Sequence, residues 1–358
     1  VLVPQLSSDE AEKILDLNIS GVSAKKTYKR FYPAGEVTAQ LVGFTNYKDI
    51  GQEGMELAYD DWLTGEEGEK KVVIDRSKRV INDISLIKAA KSGEELRLSI
   101  DLRVQYAAYR ALKKSVKKHN AKSGSVVVLD VLTGEVLAMV NQPSFNPNDR
   151  THLRQDAVRN RAMTDLMEPG STVKPFTMMA ALESGKFSPE TLINTSPGYL
   201  KVDYKTFVDP VNYGELSLAG VLAKSSQVGT TKVALELNPE FTRELFQRVG
   251  FGEVIGSGFP GETVGNLPAY RKWDQVTQAT FAFGYGLSVS SLQLARAYSV
   301  LANDGVLKDV SLVALDSEQA SQRVIDAEIS QKVRRMLRAA SGVSGTGKRA
   351  MIDGYSVG

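Results

Sequence analysis

A serine and a lysine stand three positions apart in Ser171-Thr172-Val173-Lys174, directly after Glu168-Pro169-Gly170. On a helix this spacing puts hydroxyl and amine on one face, a single turn apart. Gly170 leaves Ser171 unshielded at the start of a helix predicted over 171–183, which buries Val173, Phe176 and Ala180. A second serine motif, Ser225-Ser226-Gln227, follows about fifty residues downstream. A serine hydroxyl is a poor nucleophile until a base takes its proton. A lysine can be that base only when its amine is neutral, and burial or a neighbouring cation drives it that way. The unpaired N–H groups and positive dipole end of a helix N-terminus suit a developing oxyanion. The chemistry implied is acyl transfer through a serine ester. Taken singly, Ser171 also fits a helix cap and Lys174 an exposed helix lysine.

Periodicity places this segment in a larger organisation. Residues 1–95 have the texture of a small mixed domain, with β-rich runs such as Val72-Val73-Ile74 and Val80-Ile81 set between glycine turns. The second domain, 96–358, opens on Leu96–Ile100, whose alternation predicts a strand. Asp101 then caps a helix with Leu102, Tyr106, Tyr109, Leu112 and Val116 at helical spacing. A hairpin is predicted from 125–129 and 136–140 around Thr133-Gly134, followed by an irregular stretch over 141–149. Further helices are expected over 220–236 and 292–302. Helices gathered between an early hairpin and a later strand predict an α+β fold with an antiparallel sheet.

Composition narrows the function. The net charge of +2, from 44 basic and 42 acidic side chains, lacks the basic excess of a nucleic-acid binder. The cluster Lys113, Lys114, Lys117, Lys118 is expected to be a solvated helix face. With no cysteine there is no disulfide, thiolate metal site or cysteine nucleophile. His119 and His152 have no metal-binding context, so no metal is expected. Gly342-Val343-Ser344-Gly345-Thr346-Gly347-Lys348-Arg349 nearly spells a phosphate loop, but Arg349 stands where a hydroxyl is needed and no apolar strand precedes it. Gly250-Phe251-Gly252 is read as a turn. No stretch approaches the ~20 apolar residues of a membrane span. The chain opens on Val1, so a targeting or anchoring segment is expected upstream.

Together the two serine motifs carry a resemblance. Glu168 through Phe176 resembles the first motif of class B penicillin-binding proteins, and Lys224-Ser225-Ser226-Gln227-Val228-Gly229 the second. Arg30–Pro33, Gly54-Met55-Glu56, 130–138, Asn141-Gln142-Pro143, 258–262 and 283–288 are similar to further family stretches, so the likeness covers nearly the whole chain. It is strongest to the septal D,D-transpeptidases of Gram-negative bacteria. The resemblance implies a β-lactamase-like transpeptidase domain over 96–358 and an N-terminal pedestal, of the dimerisation type, over 1–95. It also implies a role for each matching residue. Ser171 attacks the D-Ala-D-Ala carbonyl of a peptidoglycan stem peptide, Lys174 is the acylation base, and Ser225 relays a proton to the leaving amine. Gln227 holds the donor amide and Lys174, while Glu168, Tyr285 and Gly286 line the cleft. β-Lactams mimic the donor. No cofactor is implied. The implied partners are stem peptides, β-lactams and membrane proteins of the division machinery, and the implied location is the inner membrane, with the catalytic domain in the periplasm.

Two departures qualify the likeness. The second motif normally ends in Asn, and Gln227 adds a methylene while keeping the amide's donors and acceptor. The Lys-Thr-Gly motif is not found before Gly358. A polypeptide ending there is expected to acylate poorly, because that strand supplies the substrate-carboxylate site and an oxyanion N–H. The alternatives are a serine β-lactamase, for which Glu236 lies too close to Ser225 in sequence to form a separate deacylating loop, and a non-catalytic scaffold or penicillin sensor.

Overall fold

The computed structural model describes residues 6–25, 27–76, 80–269, 271 and 273–358. Near the N-terminus a pair of short helices, α1 (Ala39–Val42) and α2 (Gly54–Ala58), pack together. Gly54 has φ +62°, and a Cβ on it would lie 2.5 Å from the Leu41 carbonyl oxygen. Only glycine allows so close an approach of the two backbones. Across this contact the Arg30 guanidinium grips the Glu56 carboxylate through two bonds of 2.8 and 3.0 Å, joining two of the stretches that carry the family likeness. The strands β1 (Glu69–Ile74) and β2 (Val80–Lys88) then form an antiparallel hairpin whose described side chains are mostly exposed.

Leu96–Ile100 does not form the predicted strand. It runs extended along residues 312–314, bridged at Leu98–Val313, with Ser99 N–H donating to Leu312 O. The helix α3 (Leu102–Lys118) begins where Asp101 accepts from the N–H groups of Arg103 and Val104. Its buried face differs from the predicted stripe. Of that stripe Tyr109 is buried and Leu112 and Val116 are partly buried, but Leu102 and Tyr106 are half-exposed and Gln105 is buried in their stead. Gln105 is buried because its amide is fully used: it donates to Val37 O and Met139 O and accepts from Met139 N–H. The four clustered lysines lie exposed on this helix, as expected.

The hairpin of β3 (Gly124–Leu129) and β4 (Val136–Gln142) pairs Val127 with Met139 and extends two residues further than predicted. Gly134 turns it at φ +82°, where a Cβ would strike Asp309 O at 2.1 Å. Its open edge meets residue 311 through Val136 N–H to Ser311 O. All sheets among the described residues are two-stranded, and the bridges at 98 and 135 widen this one.

The rest is mostly helical, with short two-stranded sheets between the helices. The predicted 171–183 helix is a 3₁₀ turn, Gly170–Val173, running into α4 (Lys174–Glu183), which is buried from Lys174 to Leu182. The expected 220–236 helix is broken into α5 (Leu218–Ala223) and α6 (Gln227–Glu236). They are followed by α7 (Pro239–Arg248), α8 (Gln275–Phe281), α9 (Ser291–Ala302) and α10 (Ala327–Ser341). Phe176 on α4 anchors the core between them, edge-on to Phe246, Phe251 and Tyr298. The phosphate-loop look-alike follows α10 rather than a strand, and 250–252 is a turn. Helices surrounding a short antiparallel sheet make the architecture α+β.

Candidate active site

The nucleophile candidate sits on a backbone held at two points. Gly170 adopts φ +59° with open space where a Cβ would lie, so Ser171 stands exposed just behind it. The turn is pinned below by Gly170 N–H to Gly284 O and by the Tyr298 hydroxyl, which donates to Thr172 O at 2.7 Å. Gly284 must be glycine, since a Cβ there would lie 2.1 Å from Gly170 O. Lys174 N–H donates to Ser171 O, which closes the turn and sets the two residues one turn apart.

Lys174 is only 1% exposed. Its Nζ donates to the Ser225 carbonyl oxygen at 2.6 Å and to Ser225 Oγ at 3.0 Å, and lies 6.0 Å from the centre of the Phe283 ring. Burial pulls its pKa down to about 8, against a smaller upward pull from Asp209. Among the described residues no hydrogen bond joins Lys174 Nζ to Ser171 or to Gln227, so the expected grip of Gln227 on the lysine is absent. The contact that exists runs through Ser225. That residue occupies the left-handed region at φ +54°, between α5 and α6.

Two residues on, Gln227 opens α6 with its side chain exposed. The mouth also carries Glu168, Tyr285 and Gly286. The 284–289 segment runs antiparallel beside 167–170, with paired bonds between Met167 and Val289. This brings Gly286 N–H to Glu168 Oε1 at 2.9 Å and leaves Tyr285 half-exposed, edge-on to Phe283. These bonds gather Glu168, Tyr285 and Gly286 beside the Ser171 turn and tie Lys174 to Ser225, while Gln227 follows Ser225 by two residues with its side chain in solvent. Glu236 does not belong here. It ends α6, about 13 Å along the axis from Gln227.

Sequence reasoning missed Asp209. It follows β6 (Lys205–Val208), which pairs with β5 (Tyr199–Val202), and its carboxylate meets the second serine motif from below. Nothing around it in sequence signals a site, since one carboxylate at a strand end is commonplace. Phe283 and Tyr298 were missed as supports for the same reason.

Comparison with known proteins shows the family of the chain. The family described as penicillin binding protein transpeptidase domain matches residues 124–358, and the penicillin-binding protein dimerisation domain matches residues 1–98. The chain is 43% identical over 352 residues to the probable peptidoglycan D,D-transpeptidase PbpC of Pseudomonas aeruginosa, covering 98% of this chain and 62% of that one. It is 41% identical to the peptidoglycan D,D-transpeptidase FtsI of Escherichia coli, covering 99% and 60%, and 40% identical to the probable D,D-transpeptidase PenA of Neisseria meningitidis, covering 99% and 61%. The chain thus spans about three fifths of the length of these curated relatives. The solved transpeptidase domain of penicillin-binding protein 3 from Burkholderia pseudomallei superposes with a TM-score of 0.67 at 38% identity, covering 73% of this chain and 75% of that one. The Ser-x-x-Lys turn lies within the span matched by the transpeptidase domain family. The chain belongs to the penicillin-binding protein transpeptidase family.

Proposed function

We propose that the protein is a serine-type peptidoglycan D,D-transpeptidase that cross-links stem peptides at the division septum and is a target of β-lactams. The single observation that supports this best is the buried Lys174 amine, three residues from the exposed Ser171 and bonded to Ser225, whose pKa burial lowers. With a pKa of about 8, roughly a tenth of the amine is neutral at pH 7. In this reading the neutral amine takes the Ser171 proton as Oγ attacks the penultimate D-Ala carbonyl carbon. The tetrahedral oxyanion collapses, the peptide C–N bond breaks, and Ser225 passes a proton from Lys174 to the departing D-Ala amine. An amine from a neighbouring stem then resolves the ester. Gln227 holds the donor amide, and Glu168, Tyr285 and Gly286 line the cleft.

The same reading assigns residues 1–95 to a pedestal that docks membrane proteins of the division machinery and 96–358 to the transpeptidase domain. It places the protein at the inner membrane with its catalytic domain in the periplasm. Among the described residues no helix is long and apolar enough to cross a membrane. Glu236 stands at the far end of α6 from Gln227, which disfavours it as the carboxylate that activates a deacylating water in a β-lactamase.

Intact mass and peptide mapping of the full-length protein after exposure to benzylpenicillin test the site. One stable adduct per chain on Ser171, absent from Ser171→Ala, is expected. An adduct on another residue, or equal labelling of the variant, refutes the assignment. Cells whose septation is sustained by Ser171→Ala alone would point to a scaffold instead.

A further inference from the structure

We propose that Asp209 is a positioning residue for acyl transfer: its carboxylate locks the Ser226–Val228 turn so that Ser225 turns both its oxygens to Lys174. The inference rests on the transpeptidase reading above. Asp209 is 4% exposed, and its own N–H is tied to Gly198 O, so the hairpin β5–β6 fixes its place. Oδ2 accepts the Ser226 hydroxyl proton at 2.6 Å, and Oδ1 accepts Gln227 N–H at 2.6 Å and Val228 N–H at 3.2 Å. Ser226 Oγ in turn accepts from Gly229 N–H at 2.8 Å, so its hydroxyl direction is fixed at both ends. A carboxylate on the first turn of a ten-residue helix is favoured by the free N–H groups and the dipole there.

The consequence reaches Ser225. Ser225 N–H bonds back to Leu222 O on α5, while residues 226–228 are clamped to Asp209. The residue caught between the two anchors is the one at φ +54°. That conformation points its carbonyl and its hydroxyl at the same amine. Three titratable groups on the surrounding segments are engaged elsewhere. Glu168 holds Gly286 N–H, Lys224 donates to Ser344 O, and the Tyr298 hydroxyl donates to Thr172 O. Asp209 remains as the charge that holds the Lys174 proton on, against burial.

Two variants of the full-length protein separate position from charge. Acylation by a fluorescent penicillin is followed against pH, with thermal unfolding alongside. Asp209→Asn reverses one hydrogen bond and removes the charge. It is expected to lower the plateau rate at least tenfold and to move the acid limb of the profile to lower pH, because the amine then loses its proton more easily. Ser226→Ala keeps the charge and cuts the clamp, so its plateau is expected to fall several-fold while the limb stays in place. A lowered melting temperature with both plateau and limb unchanged in Asp209→Asn would make Asp209 merely structural and overturn the proposal. A wild-type rate in Ser226→Ala would overturn the positioning claim even if the other variant did not fold. Failure of the wild type to acylate at Ser171 would strike the transpeptidase reading itself, and this inference with it.

Discussion

At the scale of the residue, Lys174 is where function works against stability. An ammonium in this position gives up most of its hydration, and it has one carbonyl and one hydroxyl in exchange. Its pKa falls from 10.5 to about 8, which corresponds to about 3 kcal/mol of destabilisation when the amine is charged. The sign follows from proton counts. Between pH 8 and 10.5 the unfolded chain binds more protons than the native one, so native stability rises with pH across that window. Below pH 8 both states are protonated and the whole cost is present. Lys174→Met removes the titrating group. Its stability advantage over the wild type is therefore expected to shrink by about 3 kcal/mol between about pH 7.5 and 10.5 in paired denaturant titrations. A pH-independent difference would mean that the amine is not strained by burial. Lys174 and Ser171 were legible because the motif is compact and its spacing has one geometric meaning. Asp209 was not, because it acts from another hairpin, and only the folded chain brings it to Ser226.

At the scale of the element, the break between α5 and α6 is the feature least visible in advance. The apolar pattern from Gly220 to Glu236 reads as one helix, and Lys224-Ser225-Ser226 contains neither glycine nor proline. Long-range bonds from Lys174 and Asp209 impose the break, overriding local propensity. The hairpin β3–β4 and helix α3 were legible because their own sequences hold the turn glycine and the capping aspartate. Leu96–Ile100 shows the reverse case, where alternation is present but the neighbouring segment offers one bridge only. The break makes an opposed pair of expectations for Ser225. Inside a continuous helix, alanine would be more stable than glycine by about 1 kcal/mol. In the left-handed conformation found here, at φ +54°, glycine is favoured instead, by about 1 kcal/mol. Ser225→Gly is thus expected to unfold at higher denaturant than Ser225→Ala, with both losing most acylation for want of the hydroxyl. The opposite order would restore the single helix.

At the scale of the molecule, packing crosses the proposed boundary near residue 95. Leu41, 1% exposed, and Met55 share a core with Val136, Met139, Val310 and Leu312. Gln40 donates to Pro143 O and Ala157 O, and Gln105 donates to Val37 O. By contrast, the β1–β2 hairpin stands exposed. Composition marks a change of texture at 95, but it cannot tell which apolar side chains fill a pocket in the next segment. If the core is shared, the N-terminal helices and the β3–β4 hairpin unfold together, and the loss spreads to the site that rests on them. The chain's two tryptophans make this measurable. Trp62 lies in the N-terminal region, its indole N–H on Glu95 O, while Trp273 packs on Phe281 with ring centres 4.4 Å apart. In a Trp62→Phe background, fluorescence reports Trp273 and the main helical core. Leu41→Ala leaves a cavity and removes about 2–5 kcal/mol of packing. It is expected to lower the Trp273 melting temperature by several degrees, in step with loss of penicillin acylation. If residues 32–58 were a separately melting unit, calorimetry would instead show a new early transition, with the Trp273 midpoint unmoved.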